Sequence, residues 1–167
     1  MPEFARILVT TDFSDQALPG VKTAAGLARS LGSQIELLYV VEDHLPPILG
    51  FTTEGERDEI LQSHAQKAGE SLAAYAEEHL EGCQVETKTV VGTPPHAIVH
   101  AATDGGADLI IIASRGFGPM RQLLLGSTAE RVLHHAPCPV LVVPSKGNQP
   151  AASVSDDHAE AWKSNIC

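Results

Sequence analysis

The sequence predicts an α/β fold: an open five-stranded parallel sheet of order 3-2-1-4-5 with helices on both faces. Three observations predict it. Short apolar, β-branched runs alternate with amphipathic stretches in the order β-α-β-α-β-α-β-α-β along 167 residues. Strands of that kind belong to a parallel sheet covered on both sides by its crossover helices, and right-handed crossovers leave few topologies to choose from. Hydrophobic residues make up 43% and charged residues 19%, the balance of one soluble domain with an ordinary core.

The elements follow in order. Ile7-Leu8-Val9 is a buried first strand that runs into Thr10-Thr11-Asp12 and stops near Asp12. Ser14 and Asp15 offer a helix start. Ala17, Val21, Ala24, Ala28 and Leu31 share one helical face, and Gly32 supplies the stop. Ile35 to Val41 is the second strand, and Pro46, Pro47 and Gly50 make residues 44–53 a loop. Leu61, Ala65, Ala68, Leu72, Ala76 and Leu80 mark the buried stripe of a long second helix that Gly82 ends. Val85, Thr87, Thr89 and Val91 alternate along a third strand.

After Gly92, Thr93 is placed to cap a third helix with Pro94 in its first turn. Ile98, Ala101 and Ala102 form its apolar side, and Gly105-Gly106 closes it. Leu109 to Ala113 is the most apolar run and reads as a central strand. A glycine-bearing loop over 114–126 leads to a fourth helix, Ser127 to His135. Val140 to Val143, fenced by Pro139 and Pro144, is the last strand. Residues 1–145 form one domain. The polar segment 146–167, with the lone Trp162, reads as a flexible tail, or else as a short helix near 157–163 that docks Trp162.

The net charge of −10 repels phosphate backbones, which argues against a nucleic-acid partner. Three scattered cysteines without a CxxC pair argue against a disulfide framework or a zinc ribbon. No apolar run is long enough for a signal peptide or a membrane span. The chain is therefore expected to be soluble and cytoplasmic.

In an open sheet of this order, ligands bind beyond the carboxyl ends of the strands where the winding direction reverses. Those ends are Asp12, after strand one, and Ala113, after strand four. The segment Ala113-Ser114-Arg115-Gly116-Phe117-Gly118 leaves a buried strand, and Gly126-Ser127-Thr128 opens a helix. A helix N-terminus offers unpaired N–H groups and a positive dipole end, which suits phosphate. Gly116, Gly118 and Gly126 allow close backbone approach, Ser127 and Thr128 can donate hydroxyls, and Arg115 adds a charge. Asp12 is the one acid placed nearby and can accept from ribose hydroxyls. Ser127-Thr128-Ala129-Glu130 is equally a capping box, which would use the same residues for structure alone. Neither a P-loop nor a dinucleotide fingerprint is present.

Several runs carry a family resemblance. Ile7 to Ser14, Val91-Gly92-Thr93-Pro94, Ala107 to Ile111, Gly116 to Ser127 and Pro137 to Pro144 occur in one order from Arg6 to Pro144. Together they resemble the universal stress protein family. The resemblance implies a Rossmann-like fold and, in the ATP-binding branch, a pattern of Gly, two residues, Gly, nine residues, then Gly with Ser or Thr. Gly116, Gly126 and Ser127 fit it, while Ala113 stands where the first glycine is expected.

By the resemblance, ATP with accompanying Mg²⁺ would be held by Thr11, Asp12, Val40, Ile112, Ala113, Ser114, Arg115, Gly116, Gly126, Ser127 and Thr128. Val40 would lie against adenine, Asp12 at the nucleoside, and the glycine loop on the triphosphate. A homodimer through the Val140–Val143 strand is implied too, and such an apolar edge demands cover.

Other features have plain readings. His96 and His100 sit four apart on a helix, a metal-ligand spacing without an evident third ligand. His134-His135 suits a helix C-terminus. Cys138 reads as packing, residues 54–59 as an acidic helix start, and Glu77-Glu78 as a solvated face. A phosphorylated receiver domain is rejected, because strand three ends in Val91-Gly92, where that fold needs an acid, and strand five ends in Pro144. The expected function is a nucleotide-binding regulatory module in stress response and not an enzyme. The alternatives are an interaction protein of the same fold without nucleotide, or a slow ATP hydrolase.

Overall fold

The structure, a computed structural model, describes residues 4–43, 54–114 and 125–145. The proposed tail, Arg115 and Gly116 lie outside the described residues.

Five strands alternate with four helices: β1 (Arg6–Thr10), α1 (Leu18–Leu31), β2 (Gln34–Glu42), α2 (Glu54–His79), β3 (Gln84–Gly92), α3 (Pro94–Gly105), β4 (Leu109–Ala113), α4 (Ser127–His135) and β5 (Val140–Val143). The strands form one parallel sheet of order β3-β2-β1-β4-β5. Ile7 pairs with Ile35 on one side and Leu109 on the other, so β1 is the middle strand.

Strand alternation splits the core into two layers. Ile7, Val9, Ile35, Leu37 and Ile111 face α1 and α2, against Val21, Ala24, Ala28, Leu72 and Leu80. Leu8, Leu38, Ile110 and Ile112 face α3 and α4, against Ile98, Ala101, Ala102, Ala129 and Val132. All five residues of β4 are buried. A strand apolar at every position has two buried faces.

Three expectations are corrected. The first helix begins at Leu18, not at Ser14 and Asp15. Ser14 spends its hydroxyl on the preceding turn, where it donates to Asp12 and accepts from the Ala17 N–H at 3.2 Å, so the chain turns once before it coils. Leu31 lies in the last turn and is exposed, unlike Ala17, Val21, Ala24 and Ala28. Thr93 is the N-cap of α3, but its side chain makes no capping bond. Pro94 supplies the helical start there instead.

The glycine stops hold. Gly32 (φ 70) and Gly106 (φ 62) are left-handed C-caps whose N–H groups close onto Ala28 and Ala102. Among the described residues no helix is long and apolar enough to cross a membrane.

Candidate functional site

A cleft of about 810 Å³ opens beyond the carboxyl ends of β1, β2 and β4. That volume is in the range of small-molecule pockets. Nine of the eleven sequence-predicted residues line it: Thr11, Asp12, Val40, Ile112, Ala113, Ser114, Gly126, Ser127 and Thr128. The other two, Arg115 and Gly116, fall in the undescribed segment. A second void, between β1, β2, β3 and α3 near Arg6, Glu36 and Gly105, holds only about 10 Å³, room for a water.

The cleft has an apolar floor and a polar rim. Leu38, Val40, Ile98, Ile112, Leu125 and Ala129 line it from the α3–α4 layer. At one end, α4 begins with Gly126 as its N-cap. The Glu130 N–H bonds the Gly126 carbonyl at 2.9 Å and closes the first helical turn. The N–H groups of Ser127, Thr128 and Ala129 precede that bond and have no helical carbonyl to meet.

This geometry overturns the capping box. Ser127 is the first helical residue, not the cap, and no side chain caps α4. Ser127 is exposed and Thr128 half-buried at the mouth of the cleft.

Ser114 acts as a clasp. Its N–H donates to the Val143 carbonyl at 2.7 Å, and its carbonyl accepts from the Gly126 N–H at 2.8 Å. Its hydroxyl accepts from the Ser145 N–H at 3.1 Å. The ends of β4 and β5 and the start of α4 are thus tied at one residue. Sequence reasoning placed Ser114 in the site but missed Ser145, whose role depends on a contact across 31 positions.

Ala113, the departure from the glycine pattern, is paired in register with Val143. Val143 packs on the α1–α2 layer, while Ile112 and Val142 belong to the α3–α4 layer. In-register neighbours of a parallel pair share a face. The Ala113 methyl therefore points toward α1, away from the apolar floor. There α1 comes close: a Cβ added at Gly20 would sit 3.5 Å from the Ala113 nitrogen.

At the other end, residues 11–14 form a compact turn. The Phe13 N–H donates to Thr11 Oγ1 at 3.0 Å, and the Ser14 N–H donates to Asp12 Oδ1 at 3.0 Å. Phe13 has φ 62, a left-handed backbone that costs a residue with a Cβ roughly 1–3 kcal/mol. Its ring stacks on Tyr39 at 4.6 Å and meets Tyr75 edge-on at 5.5 Å. Burial pushes the Tyr75 hydroxyl above its ordinary range, partly offset by Thr11. That hydroxyl makes no hydrogen bond of good geometry.

Asp12 is not the sole acid. Glu42 and Glu130 also line the cleft, and no Lys or Arg among the described residues does. The sequence hid this, because Glu42 ends β2 and Glu130 reads as part of a cap. An anion entering here gains from the helix dipole and is opposed by three carboxylates. Among the described residues, no group of three His, Cys, Asp or Glu is arranged to hold a metal ion.

The remaining candidates lie elsewhere. His96 and His100 are exposed on α3, and His100 pairs with Asp104 at 2.8 Å. His134 and His135 are exposed in the last turn of α4. Cys138 packs against the α3–α4 layer, and burial raises its thiol, which fits a packing role. β5 is an edge strand whose Leu141 is exposed.

Known proteins resemble this arrangement. The model of the universal stress protein family matches residues 3–144. A universal stress protein of Methanocaldococcus jannaschii is 35% identical over 143 residues, 84% of this chain and 82% of the relative. The solved structure of a second protein of that archaeon superposes with a TM-score of 0.74 at 31% identity, covering 85% of this chain and 96% of the other. A universal stress protein of Archaeoglobus fulgidus, solved in complex with dAMP, superposes with a TM-score of 0.58 at 26% identity, covering 85% and 98%.

Proposed function

The chain belongs to the universal stress protein family, and from that membership we propose that it is an ATP-binding regulatory module of the cytoplasm rather than an enzyme. One observation carries the reading: the nine described residues singled out for a nucleotide line a single cleft of about 810 Å³. The complex of the A. fulgidus relative with dAMP supports an adenine nucleotide as the class of ligand.

In this reading the base lies on the apolar floor at Val40 and Ile112, and Asp12 accepts from the ribose. Gly126, Ser127 and Thr128 hold phosphate with the open end of α4. The cleft fits the nucleotide in size and in donor set. Mg²⁺ would arrive with the phosphates and keep much of its water. It would screen the phosphates from Asp12, Glu42 and Glu130.

Calorimetric titration of nucleotide-stripped protein tests this. Mg·ATP should give saturable one-site heat, and ATP in excess EDTA should bind at least about tenfold more weakly, a loss of about 1.4 kcal/mol. Absence of heat from Mg·ATP and from AMP alike would leave an interaction protein of the same fold.

The reading includes a homodimer through β5. Its apolar edge is fenced by Pro139 and Pro144 but not covered by any described residue, and Leu141 is 38% exposed. Light scattering should give twice the chain mass for the wild type and a single chain mass for Leu141→Lys. A wild-type monomer would refute the dimer without touching the nucleotide site.

A further inference from the structure

Asp12 lines the cleft, and the residue that follows it has an unusual backbone. Phe13 is the only non-glycine residue with positive φ among the described residues. The bonds that wrap its turn, Phe13 N–H to Thr11 Oγ1 and Ser14 to Asp12 Oδ1, each span two residues. They shape the turn locally, while the Thr11 N–H ties its start to the Leu38 carbonyl of β2 at 3.1 Å.

The ring ties the residue after Asp12 as well. Phe13 lies on Tyr39 of β2 with planes 28° apart, and Tyr75 of α2 meets it at 76°. Tyr75 is backed in turn by His79, with centroids 4.3 Å apart. A left-handed backbone at a bulky residue persists only where its surroundings over-determine it. The clamp supplies that determination.

We propose that Phe13 is a positioning residue of the nucleotide cleft: the Tyr39–Tyr75 clamp on its ring holds the left-handed turn that presents Asp12 to the ribose. The inference rests on the nucleotide reading above. It makes α2 part of the site's machinery although no described residue of α2 lines the cleft. Nucleotide affinity then depends on how α2 packs over the end of β2.

The test is a ligand-side cycle. Wild type, Phe13→Leu and Phe13→Tyr are titrated with Mg·ATP and with Mg·2′,3′-dideoxy-ATP, which lacks the hydroxyls that Asp12 would meet. Phe13→Leu should lose about tenfold for ATP and less than about twofold for the dideoxy nucleotide, because coupled groups lose their interaction together. Phe13→Tyr keeps the ring and should restore ATP affinity. If Phe13→Leu does not fold, Tyr75→Leu removes the far wall of the clamp and should give the same selective loss.

Equal losses on both nucleotides, or no loss on either, would overturn the positioning role. Equal wild-type affinity for the two nucleotides would sink the ribose role of Asp12, and this inference with it. Failure of the wild type to bind either one would instead bring down the nucleotide reading itself.

Discussion

Gly126→Val is expected to abolish nucleotide binding while leaving the fold in place. Gly126 has φ −61 and ψ 146, an extended conformation that any residue adopts, so a side chain there adds no backbone strain. Both of its main-chain bonds survive the change: its N–H to the Ser114 carbonyl and its carbonyl from the Glu130 N–H. What changes is the space at the open end of α4. Branched methyl groups would stand beside the Ser127 and Thr128 N–H groups, where a phosphate oxygen must approach to about 2.7–3.2 Å.

Hydrogen bonds to a charged group contribute about 1.5–3 kcal/mol each. Losing two of them lowers affinity by at least about a hundredfold, since each tenfold is about 1.4 kcal/mol. Valine is a poorer N-cap than glycine, so stability falls by at most about 1 kcal/mol. Titration with Mg·ATP alongside thermal melting separates the two effects. A variant that binds like the wild type would place phosphate away from α4.

The sheet was legible because its evidence is local and periodic. Leu109 to Ala113 is apolar at every position and β-branched at three of five, which suits a strand covered on both faces. Gly32 and Gly106 announced their helix ends because left-handed caps select glycine. Ser127 misled for an instructive reason. A Ser-x-x-Glu pattern reads as a capping box whichever residue is the cap, and only the backbone shows that Gly126 holds that place.

Phe13 was invisible as a site residue. Its contribution depends on rings from β2 and α2, 26 and 62 positions along the chain, and on a φ that no sequence pattern at a phenylalanine announces. Glu42 and Glu130 escaped for a similar cause. Each belongs to a regular element, and only the folded sheet turns them toward one cleft. The sequence posed Ala113 as a departure from the glycine pattern, and register shows only on which face its methyl lies. Pairing with Val143 puts its methyl on the α1 face.

Ile111→Ala is expected to be the most destabilising of the substitutions considered. Ile111 is fully buried in β4, between Val9 of β1 and Leu141 of β5. It belongs to the layer that α1 covers through Val21, Ala24, Ala25 and Ala28. Those residues are small, so α1 already rides close to the sheet. The approach of Gly20 to the Ala113 nitrogen leaves little room for the helix to sink further. The lost side chain therefore leaves a cavity that the neighbours cannot refill, which puts the cost toward the upper part of about 2–5 kcal/mol.

With a urea m-value of about 1–3 kcal/mol/M, the unfolding midpoint should fall by about 1–5 M at unchanged m. A fall under about 0.5 M would mean that α1 packs more loosely on β4 than the contacts show. The same variant links stability to the cleft. A ligand that binds only the folded chain adds about 2.7 kcal/mol at a hundredfold excess over its Kd. Saturating Mg·ATP should therefore restore much of the lost midpoint in Ile111→Ala. It should restore none in Ile111→Ala combined with Gly126→Val, because that chain has the same damaged core and no site for the phosphate.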